Sequence, residues 1–190
     1  MPNWCSNHLT LTHTDTAEIK RAIEAYNADR LLSEFHPTPE ELKNTTAPAF
    51  DEDPETAKAL IEKYEFSNWY DWQVNNWGTK WDVSSVDEQE YEDGQTGVHF
   101  YFDSAWSPPV EWYGHMEELG FGVSAMYHEP GMAFCGIYEE GCDDQFEITG
   151  NADWVDKHIP KAINEAFAIA ENMQMWEDEE NTIPEATEDD

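Results

Sequence analysis

Asn75-Asn76-Trp77-Gly78-Thr79-Lys80-Trp81-Asp82, answered later by Phe102-Asp103-Ser104-Ala105-Trp106-Ser107-Pro108-Pro109, decides the fold. The first stretch reads as a helix end running into a strand, the second as a strand end running into a helix. Trp77 and Trp81 sit four apart around Gly78, too close to the turn for both to belong to one regular helix. Gly78 is the natural helix-ending residue, because a left-handed backbone costs glycine nothing. The spacing therefore predicts two aromatic-anchored corners closing one core. With the corner rings buried, Trp81→Ala or Trp106→Ala is expected to cost about 3–5 kcal/mol. The alternative is a ligand pocket between the corners, formed by Trp77, Trp81, Asp82, Asp103 and Trp106.

Outward from these corners the chain alternates strand and helix patterns. Asn7, Leu9 and Leu11 share one face of a first strand over Cys5–His13. Thr14-Asp15-Thr16 offers a cap, and Ile19, Ala22, Ile23, Tyr26 and Leu31 continue at helical spacing. Pro37 and Pro39 then force an extended path. Glu40–Asp53 is polar and reads as a loop, before a helix opened by Pro54-Glu55 and a shorter one from Trp69 into Trp77. Strands over Lys80–Val86 and Gly97–Ser104 flank the acidic loop Asp87–Thr96. Pro108-Pro109 starts a helix whose Trp112, Met116 and Leu119 face the core. Phe121–His128 is a further strand, turning at Glu129-Pro130-Gly131. Met132–Tyr138 and Gln145–Thr149 form a hairpin with Glu139–Asp144 at its tip. Ala152–Met175 is a long helical pattern, kinked or divided by Pro160.

The order β-α-(helical insertion)-β-β-α-β is that of the split βαβ. The predicted class is α+β: a ferredoxin-like antiparallel sheet with helices on one face, plus an added hairpin and a C-terminal helix. The predicted organisation is a ferredoxin-like domain over 1–150 with a helical insertion near 37–78, a helix over 151–175 packed on it, and an acidic disordered tail over 176–190. Residues 177–190 are accordingly expected to be dispensable for folding.

Charge is the chain's outlying property. Nine Lys and Arg stand against 42 Asp and Glu, a net of −33. Residues 1–80 hold 7 basic and 14 acidic residues, residues 157–190 hold 2 and 10, and residues 81–156 hold none and 18. Such a field steers cationic partners and excludes direct binding to nucleic acid or anionic lipid through electrostatics. Cys5, Cys135 and Cys142 make no CxxC, and Met1-Pro2-Asn3-Trp4 opens no signal peptide, so reduced thiols in a cytoplasm are expected. No apolar run approaches the ~20 residues that span a bilayer.

Several stretches resemble the YubB-type ferredoxin-like proteins. They are the opening Met1-Pro2-Asn3-Trp4-Cys5-Ser6-Asn7, the two corner motifs, and Tyr127-His128-Glu129-Pro130-Gly131-Met132-Ala133-Phe134, which fits a Tyr-x-Glu-x-Gly-x-x-Phe pattern. The resemblance covers roughly residues 1–140. It implies a ferredoxin-like fold and a bacteriophage or plasmid as the carrier, and it implies no catalytic residues. The fold name implies no iron–sulfur cluster either; three scattered cysteines do not supply four thiolates.

The residues themselves point to no cofactor and no metal. Seven histidines form no HExxH and no zinc-finger spacing with a cysteine. His128-Glu129 reads as a turn rather than half of a site, and His99 as a surface residue. Asp51-Glu52-Asp53 lacks the glycine and terminal glutamate of a calcium loop. Cys5 and Cys135 read as buried structural thiols. Asp82 and Asp103, one at each corner, suit helix capping or backbone binding better than a shared proton.

The pattern favours an interaction protein over an enzyme. Its expected role is to bind a basic, DNA-binding host protein, as a DNA mimic or anti-defence inhibitor. A chain of this length has a diameter near ~40 Å, and duplex DNA of that length carries ~24 phosphates. The partner-binding carboxylates expected are Asp87, Glu88, Glu90, Glu92 and Asp93 in one loop and Glu139, Glu140, Asp143 and Asp144 at the hairpin tip. Neither segment carries an evident apolar anchor. The alternative function is a small-ligand binder or enzyme built on the Trp-lined pocket.

Overall fold

The structure, a computed structural model, describes residues 3–47 and 53–182. Residues 48–52 of the expected loop, with Asp51 and Glu52, lie outside the described residues, as do 183–190 of the expected tail. The elements run in the order β1 (Trp4–Thr12), α1 (Thr16–Asn27), α2 (Leu31–Phe35), α3 (Glu40–Lys43), α4 (Pro54–Tyr64), α5 (Trp69–Trp77), β2 (Ser84–Ser85), β3 (Gly97–Ala105), α6 (Val110–Glu118), β4 (Gly122–Glu129), β5 (Phe134–Glu139), β6 (Cys142–Glu147), α7 (Ala152–His158), α8 (Lys161–Phe167) and α9 (Ile169–Thr182).

The strands form one sheet in the order β2-β3-β1-β4-β5-β6, with every neighbouring pair antiparallel. Its first four strands reproduce the ferredoxin-like order, and β5–β6 extend the sheet beyond β4. In β1, Cys5, Asn7, Leu9 and Leu11 point to one face. On that face α1 and α6 bury Ile19, Ile23, Tyr26, Trp112, Tyr113 and Met116 against Phe100, Phe102, Val98 and Val123. Asp15 caps α1 by accepting from the Ala17 amide at 2.9 Å.

The C-terminal helices occupy the opposite face, so β4 is covered by helices on both sides, α6 on one and α8 on the other. Val155, Ile159, Ile163 and Ile169 enclose Cys135, with Met126, Ile137 and Phe146 packed beside them. The helical pattern over 152–175 is divided at Pro160, as expected, and a second time at Ala168, which ends α8 in the left-handed region at φ 50°. The last helix continues past Met175 to Thr182, so residues 176–182 are helical rather than part of a disordered tail. Glu177 Oε1 accepts from the Ala152 amide at 3.3 Å, which ties that helix back to the start of α7.

Other expected boundaries moved for identifiable reasons. Leu31 belongs to α2 because Asp29, at φ 52°, breaks the chain out of α1. The strand read over Lys80–Val86 contracts to Ser84–Ser85. Its backbone donors go elsewhere: the Ser85 amide to Asp29 Oδ1 at 2.8 Å and the Val86 amide to Tyr26 Oη at 3.0 Å. Leu119, expected in the core, is 46% exposed past the end of α6. The hairpin tip tightens to Glu140-Gly141, both at positive φ as a two-residue turn requires. Cys142, Asp143 and Asp144 consequently lie in β6.

Candidate functional site

The two corner motifs meet in space. Gly78 ends α5 at φ 85°, and a side chain there would run into Glu111 and the backbone of Pro108 and Val110. The Ser107 hydroxyl donates to the Gly78 carbonyl, and the Thr79 hydroxyl to the Ala105 carbonyl at 2.9 Å. Trp77 is buried and donates its indole N–H to the His36 carbonyl at 2.8 Å. Trp112 does the same to the Leu32 carbonyl at 3.1 Å.

The expectation that Trp81 and Trp106 anchor the corners is corrected. They are 40% and 44% exposed. Thr79 and Val83 take the inward positions of their segment, which leaves Trp81 outside with the Lys80 ammonium 4.3 Å from its ring centroid. Trp106 sits at φ 73°, a backbone rotation that carries its ring away from the core.

The carboxylates of the corners have separate tasks. Asp82 caps α2, accepting from the Leu32 and Ser33 amides at 2.8 and 2.9 Å and from its own neighbour Val83 at 3.0 Å. Asp82→Ala is therefore expected to lower stability by about 1 kcal/mol, measured by urea unfolding, as for loss of a helix cap. Asp103 caps nothing; it accepts from the Ser6 hydroxyl at 2.7 Å across the β1–β3 pair. The turn after it is closed by Ser104, whose hydroxyl donates to the Ser107 carbonyl at 2.7 Å.

Of the alternative pocket, the fold brings together Trp81, Asp82 and Asp103. They line a cleft of about 470 Å³ with Trp4, Ser84, Ser85 and Val86. Trp77 is buried, and neither it nor Trp106 lines the cleft. Trp4, a residue that sequence reasoning left out of the pocket, is 49% exposed with its ring 6.4 Å from that of Trp81. Its place at the outward-facing start of the first strand was the available signal. Trp4 also borders a second cleft of about 930 Å³ between the open face of the sheet and the C-terminal helices. Ser6, His128, Phe167, Met173 and Trp176 line it, and no Asp, Glu, Lys or Arg does. His128, expected at a turn, instead lies under Phe167, where burial pulls its pKa below the ordinary histidine value.

The acidic segments are exposed at Asp87, Glu88, Glu90, Glu92, Asp93, Glu139, Glu140, Asp143 and Asp144. They are better anchored than expected. Tyr91 packs against the main core, and Gln89 exchanges two backbone hydrogen bonds with the Asn27 side chain, at 2.7 and 2.9 Å. Asp143 accepts from Tyr127 Oη at 2.7 Å, so it is held in the sheet rather than free at a tip. Both segments lie at the same end of the sheet. Gly97, where the first rejoins β3, is opposite Thr12, which pairs onward with Gly122, while Glu139 pairs with Ser124. Among the described residues, every Lys or Arg ion pair takes its carboxylate from outside residues 81–156.

The remaining motif has a structural account. The Glu129 carboxylate, buried, accepts from the Gly131 and Met132 amides and fixes that turn. Tyr127 and Phe134 pack edge to face at 6.1 Å. Cys5 and Cys135 are buried and Cys142 is exposed. Burial pushes the Cys135 thiol up to about 11, and burial followed by the Glu129 charge raises that of Cys5. Among the described residues no three His, Cys, Asp or Glu converge as metal ligands would, and no helix is long and apolar enough to cross a membrane.

No family model matches the chain. No curated protein matches it either. Among solved structures, the chain is similar to a protein api92 from Yersinia pseudotuberculosis, of the family model DUF1281, at 13% identity. The similarity covers 80% of this chain and 99% of that one, with a TM-score of 0.39, and carries no argument about function.

Proposed function

We propose that this chain is an acidic accessory protein of the kind phages and plasmids carry, binding a basic, DNA-binding protein of the host as a DNA mimic or anti-defence inhibitor. The observation that carries this reading is the exposure of two carboxylate segments at one end of the sheet, in a block of sequence without a single Lys or Arg. From β3, which the first segment enters, to β5, which the second leaves, are three strand spacings, or ~14 Å. That is of the order of the ~12 Å major groove that separates two rows of phosphates. The motif resemblance to YubB-type proteins supports the mobile-element setting.

Neutralising both sets to Asn and Gln tests the reading. Exposed charges contribute little to stability, so thermal unfolding should be unchanged or slightly raised as repulsion is relieved. Capture of a basic DNA-binding host protein should weaken, mainly through slower association. The same complex should weaken steeply with salt, and duplex DNA should compete for the partner. A partner that binds the neutralised variants equally well and ignores DNA would sink the proposal.

The charge-free cleft of about 930 Å³ supports a second reading, a site for a small uncharged ligand stacked against Trp4, Phe167 and Trp176. Its size falls in the range of ligand pockets, ~300–1,000 Å³. Such binding should be nearly indifferent to ionic strength, which separates it from the first reading.

A further inference from the structure

We infer that the cleft formed by Trp4, Trp81 and Asp103 receives the guanidinium of an arginine on the basic partner. The inference rests on the binding role proposed above and names the group that is gripped. Trp4 and Trp81 are half-exposed neighbours that anchor no core, with rings 6.4 Å apart and tilted by 42°. Between them and the sheet edge lies a cleft of about 470 Å³, lined by Asp82 and Asp103 and by no basic side chain.

The two carboxylates differ in what they offer. Asp82 spends its oxygens on three backbone amides and contributes charge alone. Asp103 is exposed on the outward face of β3, where its Oδ1 accepts from Ser6, and among the described residues no hydrogen bond goes to its Oδ2. A guanidinium is flat and weakly hydrated, lies against an indole face, and presents a fork of donors to a carboxylate. A lysine ammonium has the charge but neither the plane nor the fork. The Trp81 ring already takes one cation within the chain, the Lys80 ammonium at 4.3 Å, so its face suits cation–π contact. Charge complementarity selects a cationic occupant, and the aromatic pair selects arginine among cations.

Titration with octa-arginine and octa-lysine, peptides of equal charge, isolates the cleft from the general field. The unmodified protein should bind octa-arginine about tenfold more tightly at the same salt concentration. Trp81→Ala and Asp103→Asn, both at exposed positions, should bring the ratio close to one while changing octa-lysine binding less than twofold. Amide substitutions in the two acidic segments should weaken both peptides alike and keep the ratio. An unmodified protein with no arginine preference, or cleft variants that retain it, overturns the inference. The two proposals fail separately: if the ratio collapses as expected yet DNA does not compete for the partner, the mimic reading falls and the cleft stands. If DNA competes and the ratio is unmoved, the reverse holds.

Discussion

Trp112→Ala or Trp77→Ala is expected to lower the unfolding free energy by about 3–5 kcal/mol, the range for emptying a buried tryptophan site. Domain stability is typically ~5–15 kcal/mol, so either variant should be largely unfolded by modest urea. Both rings are buried, and each ties its indole N–H to a carbonyl of the segment between Leu32 and His36. Removing either ring leaves a cavity; Trp77→Ala also takes away the donor to the His36 carbonyl, whereas the Leu32 carbonyl keeps the His36 amide at 2.9 Å when Trp112 is lost. Trp81→Ala and Trp106→Ala are the internal controls and should change stability by less than about 1 kcal/mol, since exposed side chains away from such features cost little. Urea titrations followed by far-ultraviolet circular dichroism distinguish the pairs. Equal losses in all four variants would contradict the burial pattern.

Asn7→Leu should cost about 2–4 kcal/mol although it adds apolar bulk. The Asn7 amide is buried and donates to the Cys5 carbonyl at 2.7 Å and the Ser104 hydroxyl at 2.8 Å. Its carbonyl oxygen accepts from Tyr113 Oη at 3.2 Å, joining α6 to β1 and β3. Leucine meets none of these groups, and each buried polar group left without a partner costs about 1–3 kcal/mol. Tyr113→Phe alone removes one bond and its donor together, so it should be milder. If Asn7→Leu proved neutral, the network would not be what holds the helix to the sheet.

The sheet order was legible because its cues are local and periodic. The inward Leu9 and Leu11, the cap at Asp15, the glycine at 78 and the double proline at 108–109 each act within a few residues of themselves. The errors fall where a distant partner decides. Nothing near Trp81 announces that Thr79 will take the inward place by bonding to Ala105, or that Asp82 will turn to the start of α2. Trp106 reads as a core residue until its positive φ is known. The hairpin is legible in the sequence but the tightness of its turn is not, and that tightness makes Asp143 the partner of Tyr127 rather than a free tip residue. Of the candidate sites, the exposure of the acidic segments was readable from composition. The pairing of Trp4 with Trp81 was not, because it depends on β1 and β3 being neighbours with Trp4 opposite Ala105.

Among the described residues, five of the six strands, β2 to β6, fall within the stretch that carries no Lys or Arg. A protease that cuts after basic residues therefore finds no site between Lys80 and Lys157, folded or unfolded, and must leave most of the sheet as one peptide over residues 81–157. Amine-directed cross-linkers are blind to the same region. Digests and cross-link maps of this protein will report on β1, α1, the helical insertion and the C-terminal helices, while β2 to β6 stay silent unless carboxylate-directed reagents or acid-specific proteases are used.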